Sequence, residues 1–299
     1  MDYAEKIKVL KDEKNAVILV HNYQRGEVQE IADYLGDSLE LSRKANSTDA
    51  EIIVFCGVKF MAETAKILSP EKKVIMPREE AGCPMANMIT PDDVLNLRKK
   101  HPNAKVVSYV NTNADVKAVT DVCCTSANAV KVVENIESDE IIFIPDRNLG
   151  SYVKRFVDKK IILWDGFCYV HEQIQKDEVL QAKNRLPEAL LLVHPECRPE
   201  VIDIADKVLS TSGMIKFAKE SLAKSFLIGT EEGIIYRLKK ENPNKEFYSA
   251  GTPKICSNMK LTRLEDVYIA LKEEKYEITL PNDIISASRK ALKEMLRYV

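Results

Sequence analysis

The chain has 299 residues, 45% hydrophobic and 30% charged, with a formal net charge of −2. That composition suits a globular fold with one large core or several small ones, and it supplies no basic run from which a broad nucleic-acid footprint could be built. The charged opening "MDYAEKIKVLKDEKNA" is unlike a signal peptide, and no segment approaches the roughly 18 apolar residues of a membrane span, so neither nucleic acid nor membrane is expected as a partner and a cytoplasmic setting is. In that setting thiols stay reduced, and the seven cysteines, none in a C-x-x-C pair, are expected to be metal ligands, reactive groups or small core residues.

In chain order, a charged helix-compatible segment (3–14) precedes the apolar run "AVILV" (16–20), which leads into "HNYQ". Then follow "IADYLGDS" (31–38), the runs "EIIVF" (51–55) and "KKVIM" (72–76), and Cys83. The same order returns. Segment 91–101 precedes "KVVSYV" (105–110) and "NTN", then "VTDVCCTS" (119–126), "EIIFI" (140–144), "KKIIL" (159–163) and Cys168. It returns again as 175–186, "ALLLV" (189–193), "HPEC", "IADKVLST" (204–211), "KSFLI" (224–228), "KEFYS" (245–249) and Cys256. Each unit carries an aspartate five residues before a hydroxyl: Asp33 and Ser38, Asp121 and Ser126, Asp206 and Thr211. From aspartate to cysteine the intervals are 50, 47 and 50 residues. One such spacing means nothing, but several features in one order three times over mark an internal triplication.

Continuous apolar strands alternating with helices predict parallel sheets covered on both faces. The expected fold is therefore α/β: three homologous αβα three-layer units with short parallel sheets around a pseudo-threefold axis. The units span 1–83, 84–170 and 171–259, with 260–299 packing back on the first.

Ligands of parallel α/β units meet the carboxyl ends of the strands. The repeat puts Cys83, Cys168 and Cys256 at equivalent positions, each just past a strand, so three thiolates can converge on one axis. An iron–sulfur cubane with one iron lacking a protein ligand fits that arrangement, and so does a zinc ion with an open fourth position. Spacing alone does not separate the two. Cys56, Cys123, Cys124 and Cys197 stand outside the set, Cys56 as core and Cys123 and Cys124 in the loop before the second hydroxyl. The segments from Ser38, Ser126 and Ser210–Thr211 read as helix starts, whose unpaired N–H groups favour carboxylate or phosphate. Polar residues follow the first strand of each unit: His21, Asn22, Tyr23, Tyr109, Asn111, His194 and Glu196, with His171 near Cys168. Three of the four histidines lie at these places, while His101 reads as a solvated helix end.

"VHNYQ", "GDSLELSRKA", "GVKFMAETAKIL", "CPMAN", "YVNTN", "TSANAV", "PDRNLG", "CYVH", "HPEC" and "STSGMIK" together resemble the quinolinate synthase family, the A protein of NAD biosynthesis, in order through nearly the whole chain. The resemblance implies a [4Fe-4S] cluster on Cys83, Cys168 and Cys256, with one open iron acting as a Lewis acid in dehydration. It implies condensation of iminoaspartate with dihydroxyacetone phosphate to quinolinate, phosphate and water, and coupling to an L-aspartate oxidase or dehydrogenase. It places His21, Ser38, Tyr109, Asn111, Ser126, His171, His194, Glu196, Ser210 and Thr211 in the substrate pocket, and makes Tyr23, Glu196, His21, His194 and Tyr109 the catalytic candidates. Two positions depart from the family pattern. Gly26 stands where proline is common and is expected to loosen the loop after Tyr23. Ser212 stands where glycine is common and would be strained if φ were positive there. The competing readings are a zinc-dependent lyase or aldolase acting on a sugar phosphate and a non-catalytic iron–sulfur sensor.

Overall fold

A computed structural model describes residues 2–298 of the chain. The first sheet holds β1 (Ala16–His21), β2 (Tyr34–Gly36), β3 (Ile52–Cys56) and β4 (Lys73–Ile75). The second holds β5 (Lys105–Tyr109), β6 (Val122–Cys124), β7 (Glu140–Ile144) and β8 (Lys160–Leu163). The third holds β9 (Leu190–Val193), β10 (Lys207–Val208), β11 (Ser225–Gly229) and β12 (Glu246–Ser249). All pairings are parallel, and the orders are β2-β1-β3-β4, β6-β5-β7-β8 and β10-β9-β11-β12. The three sheets are copies of one α/β design, as the triplication predicts.

Each unit has four strands where apolar patterning marks three. The additional strand lies at the sheet edge and is two or three residues long, too short for any periodicity. Cys123 and Cys124, read from sequence as loop residues, are on β6 and fully buried. The repeated aspartate explains how so short a strand is registered. Asp33 Oδ2 accepts the Ile18 N–H at 2.8 Å while the Asp33 N–H donates to the Ile18 carbonyl at 3.0 Å. Asp121 treats Val106 in the same way (2.7 and 3.1 Å), and Asp206 treats Leu191 (2.7 and 3.0 Å). Each aspartate is also ion-paired to the helix preceding its unit's first strand, through Lys11, Arg98 and Lys183. The aspartate half of the repeat is thus a clasp that fixes the edge strand against the first one, while the hydroxyl half faces the site.

The interior strands carry the core. Ile18, Leu19, Val20, Ile53, Val54, Ile141, Ile142, Leu191 and Leu192 are fully buried. Burial of one such side chain contributes about 1.5–3 kcal/mol. One apolar cluster runs from the first sheet into the second and takes in Met259, Leu292 and Met295, whereas the third sheet has clusters of its own. The C-terminal tail divides. Helix Leu264–Glu273 packs on the first unit, against helix Tyr3–Glu13 and β3. Helix Asn282–Met295 lies across helix Lys59–Leu68 of the first unit and also against helix Ala114–Ala118 and β6 of the second, so the tail bridges two units. Among the described residues no helix is long and apolar enough to cross a membrane.

The strand order reverses between the first and third strands of each sheet. In parallel sheets the crevice at such a reversal, at the carboxyl ends, is where ligands sit.

Candidate active site

In each unit the end of the first strand and the turn or bend after it deliver two polar side chains two residues apart. The pairs are His21 and Tyr23, Tyr109 and Asn111, and His194 and Glu196. All six line one cavity. The same cavity is lined by Ser38 and Thr211, each the first residue of its helix, by Ser126 in the turn before helix Ala129–Asn135, by His171, and by Cys83, Cys168 and Cys256. Of the residues selected from sequence, Asn22 and Ser210 do not line it. The Ser210 hydroxyl caps helix Thr211–Glu220 by accepting the Gly213 N–H (3.2 Å) and donates to Asp37 Oδ2 (3.1 Å).

Glu196 is the electrostatic centre. Its Oε2 lies 3.0 Å from His171 Nδ1, out of line for a hydrogen bond, and 3.1 Å from His194 Nδ1. The two imidazoles stack with centroids 4.6 Å apart. Burial alone would raise the Glu196 pKa, but the two ring nitrogens hold it below the usual carboxylate range. Its other oxygen, Oε1, is buried with no protein partner, and so is Asn111 Oδ1. A buried acceptor without a partner is costly, so two of them at one cavity mark places where a ligand donor fits.

Burial lowers His21 to about 3, helped by His194 and Lys260, so its ring is neutral near pH 7. The Tyr23 N–H donates to His21 Nδ1 at 3.2 Å, which leaves the ring proton on Nε2. His194 is also lowered, chiefly by burial, and its Nε2 lies 3.1 Å from Ser126 Oγ. The Tyr23 hydroxyl makes a short hydrogen bond to Thr230 Oγ1, which in turn is 2.7 Å from His171 Nε2. A hydrogen-bonded chain therefore joins Tyr23, Thr230 and His171, whose Nδ1 faces Glu196 without a hydrogen bond to it. Burial pushes the Tyr23 and Tyr109 phenols up, so both are neutral donors. Asn22 Nδ2 donates to Thr211 Oγ1 at 2.9 Å, which turns the Thr211 proton outward as a donor.

The three cysteine residues are half-exposed at the cavity wall, but their sulfurs lie in a desolvated setting. Burial pushes Cys83 up to about 12 and raises Cys168 and Cys256, so without a cation beside them they are neutral thiols. Among the described residues, the group whose donor atoms lie within 4.8 Å of one another and could hold a metal ion is Cys168, His171 and Glu196. Cys83 and Cys256 share the cavity but are not in that tight group. Cys197 is fully buried in the third unit's core, its thiol 3.3 Å from the Gly229 carbonyl.

The two departures resolve simply. Ser212 sits in helix Thr211–Glu220 at negative φ, so it carries no strain, and its hydroxyl bonds Glu40 while accepting the Asp37 N–H at 3.2 Å. At Gly26 a Cβ would stand 2.7 Å from the Tyr236 ring, so the missing side chain makes room for a close packing contact.

Sequence reasoning missed Thr230, Glu231, Asp146, Glu63 and Lys117. The first three follow the third strand of a unit, at "IPD" (144–146) and "GTE" (229–231), where the polar step after an apolar run was the available signal. Glu63 and Lys117 support the Asn111 loop. Glu63 Oε2 accepts the Ala114 N–H at 3.0 Å, and the fully buried Lys117 Nζ bonds the Thr112 carbonyl. Nothing in either residue's spacing announces that role.

The chain matches the family model described as quinolinate synthetase A protein over residues 5–297. It is 53% identical over 296 residues to the quinolinate synthase of Thermodesulfovibrio yellowstonii, covering 99% of this chain and 98% of that one. It is 56% identical over 292 residues to the quinolinate synthase of Caldicellulosiruptor saccharolyticus (97% and 96%), and 53% identical over 291 residues to that of Geotalea uraniireducens (97% and 96%).

Proposed function

Since the chain belongs to the quinolinate synthetase A family, enzymes of NAD biosynthesis, we propose that its cavity condenses iminoaspartate with dihydroxyacetone phosphate to give quinolinate, inorganic phosphate and water. The observation that carries this reading is the convergence of three repeat-equivalent cysteines and three strand-end polar pairs on one cavity. Cys83, Cys168 and Cys256 would hold a [4Fe-4S] cluster with one iron free of protein ligands, and such a group supplies a Lewis acid for dehydration. The donor set fits. Three thiols made neutral by burial need a cationic centre to ionise, and the absence of Cys83 and Cys256 from the tight donor group favours a multi-iron group over a single ion. A zinc ion bound at ~2.3 Å would draw three sulfurs to roughly 3.8 Å from one another.

The chain's own residues supply the rest. Ser38 and Thr211 at two helix starts, and Ser126 in the turn before a third helix, would offer hydroxyl donors to carboxylate and phosphate oxygens. His21 donates from Nε2 as a neutral imidazole, which polarises a carbonyl or assists a leaving oxygen without adding charge to the ground state. The unpartnered Oε1 of Glu196 is the base for a carbon-bound proton. The Tyr23 phenol, on the Thr230–His171 relay, is the opposing acid. Asn111 Oδ1 accepts a donor such as the imine or amine N–H. An imine is hydrolysed in bulk water, and this is the reason to expect supply from an L-aspartate oxidase or dehydrogenase nearby. Free thiols throughout are consistent with work in the cytoplasm.

A second reading is favoured by the tight Cys168, His171 and Glu196 group, whose sulfur, nitrogen and oxygen donors suit one zinc ion in a lyase. Anaerobic purification with iron, sulfide and zinc analysis, followed by a quinolinate assay, tests both. Four irons and four sulfides per chain with product formation support the first reading. One zinc without sulfide sinks it, and a loaded cluster without product leaves a sensor.

A further inference from the structure

The three cysteine loops are anchored by one repeated backbone bond. The Lys59 N–H donates to the Ala81 carbonyl (2.8 Å), Arg147 to Gly166 (2.8 Å) and Glu232 to Lys254 (3.0 Å), and in each unit the cysteine stands two residues beyond the acceptor. This register makes Val58, Asp146 and Glu231, each immediately before the donor, the same position in three copies. At two of the three it carries a fully buried carboxylate.

Those carboxylates hold the cysteines. Asp146 Oδ2 accepts the Cys168 N–H at 3.2 Å while Oδ1 accepts the Leu149 N–H at 2.8 Å. Glu231 Oε1 accepts the Cys256 N–H at 3.1 Å while Oε2 accepts the Gly233 N–H at 2.7 Å, and Lys260 Nζ pairs with Glu231 at 2.9 Å. Val58 has nothing to offer Cys83. The Cys83 loop is secured from another unit instead, by Asn258 Nδ2 donating to the Gly82 carbonyl at 2.8 Å. The Cys168 loop also reaches the same segment, since the Ser257 N–H donates to the Tyr169 hydroxyl at 3.0 Å. Residues 256–258 are thus the hub joining all three cysteine loops, and Glu231 is the buried anchor of that hub.

We infer that Asp146 and Glu231 are positioning residues for the cysteine cradle, with Glu231 acting on all three cysteines through residues 256–258 and Asp146 on Cys168 alone. This rests on the proposed cluster. Neither carboxylate is asked to move a proton or bind substrate; each fixes where a thiol points.

The test uses the full chain, purified and reconstituted anaerobically, as wild type, E231Q, D146N and D121N. The readouts are iron and sulfide per chain and the rate of iron release to a chelator. Glutamine and asparagine keep the shape but lose one acceptor. E231Q should therefore lose iron faster by roughly tenfold or more, the scale of one buried hydrogen bond to a charged group, and D146N by less. D121N removes a carboxylate with the same backbone role far from the cysteines, so it should lower the melting temperature and leave iron release unchanged. Release from E231Q within twofold of wild type, or D146N more severe than E231Q, overturns the inference. Should E231Q not fold, alkylation of Cys256 in the metal-free E231D chain is read instead, with faster alkylation than wild type expected and an unchanged rate overturning the idea. A wild-type chain without iron and sulfide overturns the cluster reading and this inference together, whereas a loaded wild type with indifferent variants overturns this inference alone.

Discussion

Replacing Thr230 by valine keeps the shape of the side chain and removes one hydroxyl. That hydroxyl is the shared partner of the Tyr23 phenol and His171 Nε2, 2.7 Å from the latter, and Thr230 itself is only 3% exposed. Water has little room to replace it, so both groups are left buried and unpaired. Each such loss costs about 1–3 kcal/mol. Part of that cost falls on the folded ground state, and the part that falls on the transition state appears in kcat at ~1.4 kcal/mol per tenfold. If one of the two bonds matters during proton transfer, T230V should lower kcat by about 10- to 100-fold, with KM changed much less because Thr230 does not line the cavity. Steady-state quinolinate formation, with iron and sulfide measured in the same preparation, is the assay. T230S keeps the hydroxyl and should stay within a few-fold of wild type. A T230V enzyme with full metal content and kcat within twofold of wild type would refute the relay.

Glu196→Gln keeps the size of the proposed base and removes its charge, so kcat should fall by about 10²–10⁴ at unchanged iron content; full activity in quinolinate assays would rule Glu196 out as the base. Cys83→Ala, Cys168→Ala and Cys256→Ala should each lose cluster iron and sulfide, whereas Cys197→Ser, which alters a core thiol bonded to the Gly229 carbonyl, should not; a brown, fully loaded Cys168→Ala chain contradicts the ligand assignment. His21 has a folded-state pKa of about 3 against an ordinary 6.5, so the unfolded chain binds the extra proton between those values. Stability from this group is present above pH 6.5 and lost as pH falls towards 3, up to about 5 kcal/mol in all. His21→Gln should flatten denaturant-measured stability across that window, and an unchanged slope would contradict the assignment.

How much of this was legible beforehand depended on the length scale of each signal. The interior strands are apolar runs of four to six residues, and their ends fall within a residue or so of the pattern. The edge strands are set by backbone bonds to Asp33, Asp121 and Asp206, which leave no trace in hydropathy. The strand-end pairs and the cysteines were visible because the repeat aligned them. The helix-start motif offers two adjacent hydroxyls, and the fold decides that Ser210 caps while Thr211 faces the cavity. The polar step at Thr230 and Glu231 carried no role by itself, because their partners, Tyr23, His171 and Lys260, lie 29 to 207 residues away in sequence.

What the repeat keeps and what it varies divides the labour of the site. All three units keep a cysteine two residues past the anchoring carbonyl and a hydroxyl at a helix start, as a near-threefold group at the axis and anions around it would require. The strand-end pairs vary: the first position is histidine in two units and Tyr109 in the other, and the second is Tyr23, Asn111 or Glu196. The proposed condensation, which would form one carbon–carbon and one carbon–nitrogen bond, is unsymmetrical and would call for one base, one acid and one neutral donor, not three of any. The only carboxylate among the six stands in the third unit, and the phenol facing it through Thr230 comes from the first. In the proposed mechanism acid and base would thus belong to different units, and Asn22–Thr211 and Ser210–Asp37 are among the hydrogen bonds that join the first and third units.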